Sequence, residues 1–249
     1  MIEHPIVLPK LAFVTAWGML DLADPHPVIG TNITYWMTDD ARRSLDTRTM
    51  ELLTTLKLAR NGRLNSLWTT TLQTIDGAHS EYYCWNEFRD GTTYGILIAV
   101  RGTDDAVRVV VDRDTVLLEP IPTKWPATSL LDALPDVPPA SVRSVSVPRN
   151  LVENPNAAPA NPLAEPVDTR DVDYLTGVLA APRDAVHQLY TATRDEDGDR
   201  VRSMPLTAID LTNQGRILTY RTGDDHIVLE SGTPRECVAT LNDTHSGLT

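Results

Sequence analysis

The sequence predicts an α+β fold: antiparallel sheet units in a quasi-two-fold repeat, with helices packed mainly on one side. Three observations carry this. Segments of strand length with period-two alternation fill 81–121 and 185–230. Segments of helical period precede, separate and follow them. Finally, "DDAVRVVVDRDTVLLEPIPTKWPATSLLDAL" and "QGRILTYRTGDDHIVLESGTPRECVATLN" both read as strand, turn, strand, connection and helix, about a hundred residues apart. Residues 105–131 slide onto 216–242 without a gap, setting Val107 on Leu218, Val109 on Tyr220, Asp114 on Asp225, Val116 on Ile227, Leu118 on Leu229, Glu119 on Glu230 and Leu130 on Leu241.

The elements follow in order. Pro9 suits a first helical turn, and Leu11, Val14, Trp17, Met19 and Leu20 keep mostly to one face of a helix ending near Asp24-Pro25. Thr38-Asp39-Asp40 supplies a cap and early negative charge for a second helix, which carries Leu45, Leu52, Leu53, Leu56 and Leu58. Asn61-Gly62 is read as its end, with a further helix over 64–75. "EYYCWNEF", "TYGILIAV", "AVRVVV" and "TVLLEPI" are strands joined by turns at Arg89-Asp90-Gly91, Gly102 and Asp112-Arg113-Asp114. Residues 124–134 are a short helix stopping before Pro135. The stretch 148–166 contains five prolines, which rule out a helix or central strand there, and reads as a linker. The chain is therefore expected to be a single domain of two halves, about 1–147 and 167–249. A helix over 171–181, the strands "AVHQLYTA", "PLTAID", "RILTYR" and "HIVLE", and a closing helix over 234–242 complete the second half.

Composition narrows the function. With 41% hydrophobic and 22% charged residues, the chain can bury a core. Its net charge of −12 opposes phosphate backbones and anionic lipid, so neither nucleic acid nor a membrane surface is an expected partner. The opening "MIEHPIVLPKLAFVTAWGMLDLAD" has no positive leader and is interrupted by Pro5, Pro9 and Lys10. It predicts neither a signal peptide nor a membrane span, and the chain is expected in the cytoplasm. Asn32-Ile33-Thr34 and Asn242-Asp243-Thr244 match a glycosylation pattern that has no use there. Cys84 and Cys237 are expected to be buried free thiols, with a disulfide as the alternative.

The chemistry-bearing motifs are missing. There is no phosphate-binding loop, dinucleotide fingerprint, nucleophile elbow or paired-histidine zinc motif. Histidines 4, 26, 79, 187, 226 and 245 are scattered, and no cofactor is expected. The run from Arg194 to Arg200 has its glycine at the fourth position from Asp195 instead of the sixth. Leu206 stands where a calcium loop needs its bidentate glutamate, so the run reads as a solvated hairpin tip. The aromatics of "EYYCWNEF" read as core, with ligand stacking as the sharper alternative. This pattern points to a binding protein.

A family resemblance agrees. "EYYCWNEF", then "AVRVVV" and "TVLLEPI", then "LLDALPDVPPASVRSVSVP" resemble the EspG family in order and phrasing. So do "PLTAIDLTNQGRILTY", with Asp210 before Gly215-Arg216, and the closing "TPRECVATLN". Two departures stand out: "DLADPHPVIGTNITYW" replaces the family's usual run within 21–40, and Cys84 stands where glycine is common. The resemblance implies a quasi-two-fold α+β fold. It also implies a cytosolic chaperone of type VII (ESX) secretion that binds the helical tip of a PPE-type protein within a PE–PPE heterodimer; the sequence itself is compatible with a monomer or a homodimer.

Such a protein must cover an apolar tip reversibly, over roughly 800 Å² per partner. If Val107, Val109, Leu218 and Tyr220 face the helices, the alternate positions face away, and Arg108, Val110, Ile217, Thr219 and Arg221 are the candidate partner contacts. Two other readings stay open. One is a thiol- or carboxylate-based hydrolase in which Cys84 meets His187 or His226; the other is a structural or regulatory subunit of a secretion complex.

Overall fold

The computed structural model describes residues 1–20, 22–30, 37–153, 169–195 and 197–248. Strand β1 (Ile6–Pro9) leads into α1 (Lys10–Trp17), α2 (Asp39–Thr55), the hairpin of β2 (Ala59–Arg60) and β3 (Arg63–Leu64), and α3 (Ser66–Asp76). Four strands follow without interruption: β4 (Ser80–Phe88), β5 (Thr93–Arg101), β6 (Asp105–Val111) and β7 (Thr115–Pro120). Next come α4 (Pro126–Leu131), β8 (Val145–Pro148), α5 (Arg149–Glu153) and α6 (Arg170–Leu179). The chain then forms β9 (Arg183–Arg194), β10 (Arg200–Arg202), β11 (Leu206–Leu211), β12 (Gly215–Arg221), β13 (His226–Ser231) and α7 (Pro234–Ser246).

All strands except β2 and β3 join one sheet, ordered β1-β7-β6-β5-β4-β9-β11-β12-β13-β8, with β10 added on β9. Strands β4 and β9 pair antiparallel at its centre, where Tyr83 lies opposite Tyr190. Three consecutive hairpin strands and one edge strand lie on either side of that pair. The order is therefore symmetric about the centre.

Each strand alternates between two covered faces. Tyr83, Leu97, Val107, Val109 and Tyr190 share a core with Phe13, Leu53 and Trp68 of α1, α2 and α3. On β9, Val186 is four residues from Tyr190 and so faces the same way. Val186 packs with Ile209, Ile217 and the α6 residues Val172 and Leu175. Five of the seven described helices thus lie over one face. The opposite face buries Cys84, Ile96, Ile98, Leu189, Ala208 and Leu218 beneath α4 and α7.

The symmetric order does not extend to a gapless sequence repeat. The β6–β7 connection spans three residues, 112–114, whereas the β12–β13 connection spans four, 222–225. One extra residue flips strand alternation, so Val107 faces α1–α3 while Leu218 faces α7. Beyond the turn the equivalence returns, since Leu130 and Leu241 both pack on the α4–α7 side.

Several local expectations are corrected. Asn61 (φ 52°) and Gly62 (φ 72°) form the turn of the β2–β3 hairpin rather than a helix end. The first helix stops at Trp17, and the residues before it form edge strand β1. Residues 149–153 of the expected linker form α5, between Pro148 and Pro155. The remainder of that linker lies outside the described residues, as do residues 31–36. Residues 145–148, for which the sequence predicts no element, form strand β8, which pairs with β13 at the far edge.

Candidate functional site

A buried polar line crosses the α4–α7 face. Its side chains come from β4, β9, β11 and β12, and the strand registers set them side by side. Asn86 Nδ2 lies 3.3 Å from Cys84 Sγ and donates to Tyr94 O at 3.1 Å. Asn86 Oδ1 is 2.7 Å from His187 Nδ1, and His187 Nε2 is 3.0 Å from Asp210 Oδ2. Arg216 donates to Asp210 through Nε at 2.6 Å and Nη2 at 3.0 Å, and also to Pro135 O at 3.0 Å. His187 is fully buried and Asp210 is 4% exposed. Burial alone would raise the Asp210 pKa, but the bonds from His187 and Arg216 hold it below the ordinary carboxylate value.

This line brings Cys84 and His187 to one place without making them a nucleophile and base. Asn86 stands between them, both His187 nitrogens are engaged, and burial pushes the Cys84 thiol up to about 12. A neutral, enclosed thiol is a poor nucleophile. Both cysteines are free, as expected. His226 sits on β13, where its Nδ1 lies 3.1 Å from Asp224 O. Among the described residues no His, Cys, Asp or Glu group is placed to hold a metal ion.

The line instead anchors a crossover. Arg216 N donates to Pro138 O at 2.7 Å, and Ala140 N donates to Arg216 O at 2.8 Å. The segment 135–140, which carries the chain from α4 toward β8, is thereby tied to β12. Gly215 (φ 95°) is required at this crossing, because a Cβ there would come within 2.4 Å of Pro138 O.

The opposite face holds an open groove of about 470 Å³ at the Phe88 end of the central strands. Its floor is one row across four strands, Gln188, Trp85, Gly95 and Val111, set by register. The Trp85 ring meets Tyr83 and Tyr190 edge-on at 5.2 and 5.3 Å, so one side is fixed by the core and the other lines the groove. Val28 forms a wall by occupying the notch above Gly95, where a Cβ would approach Val28 Cγ1 to 2.6 Å. Lys10, Asp112 and Arg113 line the groove along with Glu87. An aromatic floor with charges of both signs suits reversible protein docking. Sequence reasoning singled out Trp85 only as an alternative to core and missed Gln188, Gly95 and Val28. A glycine inside an apolar strand was the available signal of close approach.

The five expected contacts are divided between the faces. Arg108 and Val110 lie on the α4–α7 side; Arg108 bonds Glu119 Oε2 at 2.7 Å and Ser129 O at 3.0 Å, while Val110 is half-buried. Ile217 is fully buried on the other face, with half-buried Thr219 and exposed Arg221, which pairs with Asp225 at 2.7 Å. The run from Arg194 to Arg200 is a hairpin connection, in which Asp195 Oδ1 accepts from Asp197 N and Asp199 N. Among the described residues no helix is long and apolar enough to cross a membrane.

Fold and groove together define an α+β scaffold, one sheet braced by helices on both faces with an open row at the Phe88 end of its central strands. The chain belongs to the EspG family, whose model matches residues 9–243. No curated protein matches the sequence. Among solved structures, the chain is similar to the Mycobacterium tuberculosis type VII secretion system chaperone EspG5, solved in complex with the PE25–PPE41 dimer. The TM-score is 0.72 over 96% of each chain at 15% identity, a likeness of fold.

Proposed function

We propose that this protein is a non-catalytic cytoplasmic chaperone that binds the helical tip of a PPE-type protein in its PE–PPE heterodimer and holds it soluble for type VII secretion. Family membership over residues 9–243 carries the reading, and the whole-chain likeness to EspG5 in its PE25–PPE41 complex supports it. The buried, neutral state of Cys84 argues against a thiol hydrolase.

The groove over Gln188, Trp85, Gly95 and Val111 is the proposed contact surface. Trp85 supplies a rigid apolar anchor, and the charges around it confer specificity without making the surface wholly apolar. A helical tip seated there hides the apolar side chains that drive self-association. The net charge of −12 keeps the loaded complex in solution.

Co-expression with a PE–PPE pair tests this reading. The expected result is a soluble complex that co-elutes on size exclusion. The double variant Glu87→Lys/Gln188→Arg alters two exposed groove positions and should weaken capture about tenfold without unfolding the chain. A partner that remains insoluble, or a complex indifferent to the groove changes, would refute the function or the surface respectively.

A further inference from the structure

Residues 22–30 fall where the sequence departs from the family phrase, and they wall the groove. Their start is tied down twice: Trp17 Nε1 donates to Ala23 O at 2.8 Å, and Ala23 N donates to Asp76 Oδ1 at 3.1 Å. His26 then stands between Pro25 and Pro27, whose rings fix the backbone on both sides. Ile29 N and Gly30 N both donate to His26 O, at 2.8 and 3.3 Å, which turns the chain and seats Val28 above Gly95. Ile29 is fully buried.

The side chain of His26 is itself 8% exposed as a residue and is approached by two donors. Val28 N–H points at Nδ1 from 3.1 Å, and Arg200 Nη2 lies 2.6 Å from Nε2. A neutral imidazole accepts at one nitrogen; an imidazolium accepts at neither. The neutral ring therefore accepts from one of these two donors, and protonation removes that acceptor, leaving an N–H against a donor at each nitrogen. We propose that residues 22–30 form a proton-released strap on the groove, pinned by neutral His26 and withdrawn when that ring is protonated.

The surrounding charges bear on the pin from every side. Asp24 of the strap, Asp76 at the end of α3, Glu81 of β4, Arg194 of β9 and Arg200 of β10 line a cavity of about 260 Å³ with His26. The Tyr83 ring stands edge-on to the imidazole at 4.8 Å. Glu81 Oε2, 3.5 Å from Nε2, favours the imidazolium, but Arg200 Nε already holds that oxygen at 2.5 Å. Burial, the largest influence, outweighs Glu81 and holds the His26 pKa below its ordinary value. The pin is therefore closed at neutral pH. When it opens, Val28 leaves its notch and the groove loses a wall.

The link to partner binding rests on the groove reading above; the strap itself does not. Amide hydrogen exchange of the intact protein, corrected for intrinsic rates, measures the strap alone. Protection of the Val28, Ile29 and Gly30 amides should fall about tenfold between about pH 7.5 and 5.5, while that of Leu97 and Ala99 holds. In His26→Gln, which keeps an acceptor but does not titrate there, the strap amides should show no such step. The wild-type profile decides the matter even if that variant folds poorly: equal protection at both pH values overturns the strap. A PE–PPE pair should bind more weakly at the lower pH by the ratio of the closed fractions that the exchange data give, a factor below about tenfold. An affinity that does not follow the closed fraction overturns the coupling to the groove. No binding at any pH overturns the chaperone reading and leaves the strap result standing.

Discussion

Replacing Arg216 by methionine removes the cation that balances Asp210 inside the sheet. Asp210 is 4% exposed and receives two bonds from Arg216, at 2.6 and 3.0 Å, and one contact from His187 at 3.0 Å. Stripping one partner from a buried ion pair costs about 3–5 kcal/mol, because the remaining charge stays enclosed. Pro135 O also loses its donor, adding about 1 kcal/mol. Against a total stability of about 5–15 kcal/mol this is severe. For a chain of this length each kcal/mol lowers the midpoint by about 2–4 °C, so Arg216→Met should melt about 8–24 °C below the wild type. The double variant Asp210→Asn/Arg216→Met removes the charge while leaving His187 an amide partner. It should recover at least about 2 kcal/mol of the single loss, a coupling that a double-mutant cycle in urea measures directly. A single loss below about 1 kcal/mol, or effects that simply add, would refute the claim that this line is an enclosed electrostatic clamp.

The remaining predictions are shorter. Gly95→Ala forces a methyl to within 2.6 Å of Val28 Cγ1 and should cost about 1–3 kcal/mol, measured by denaturant titration, with exchange rising at Val28. Both thiols are raised by burial, Cys84 to about 12 and Cys237 to about 11, so neither should react with an aromatic disulfide reagent at mild alkaline pH until urea unfolds the chain. Stability should fall with acid in two windows, read as melting midpoint against pH. His26 and His245 have lowered folded values, so the unfolded chain binds more protons and stability declines as pH drops below the ordinary histidine value of about 6.5. Asp210 and Glu81 are also lowered, so their contributions, complete above ordinary carboxylate values, are lost as pH falls through the folded ones.

What the sequence disclosed was local pattern, and what it withheld was parity and reach. The central strands were legible because "EYYCWNEF" and "TYGILIAV" are short, aromatic or β-branched apolar runs bounded by turn residues. Thr38 could be identified as a cap, and its Oγ1 does accept from Ala41 N. Edge strands β1 and β8 were not legible: each has four residues, ends in proline and gains its identity only from a neighbour far along the chain. Sliding one hairpin onto the other hid the single residue by which their turns differ, and that residue decides which face Ile217 occupies. The polar line was partly visible. Asp210 before Gly215-Arg216 was noticed as a phrase, but its partners Asn86 and His187 come from strands joined only by the fold.

The two faces of the sheet carry different burdens, and this difference bears on the contact surface proposed above. On the α4–α7 face the polar line crosses four strands, and α7 is pinned to β4 through Ser80 Oγ and His245 Nε2 at 2.8 Å. Tyr82 stacks on His245 at 5.0 Å in the same place. A ligand entering across that line would have to break the bonds among Asn86, His187, Asp210 and Arg216. On the other face the same strands present Gln188, glycine at position 95 and one flank of Trp85 along the open row. Rigidity on one side therefore holds the opposite row in shape. As the contact surface proposed above, the groove would gain from that arrangement, because a surface ordered before the partner arrives loses little conformational freedom on contact.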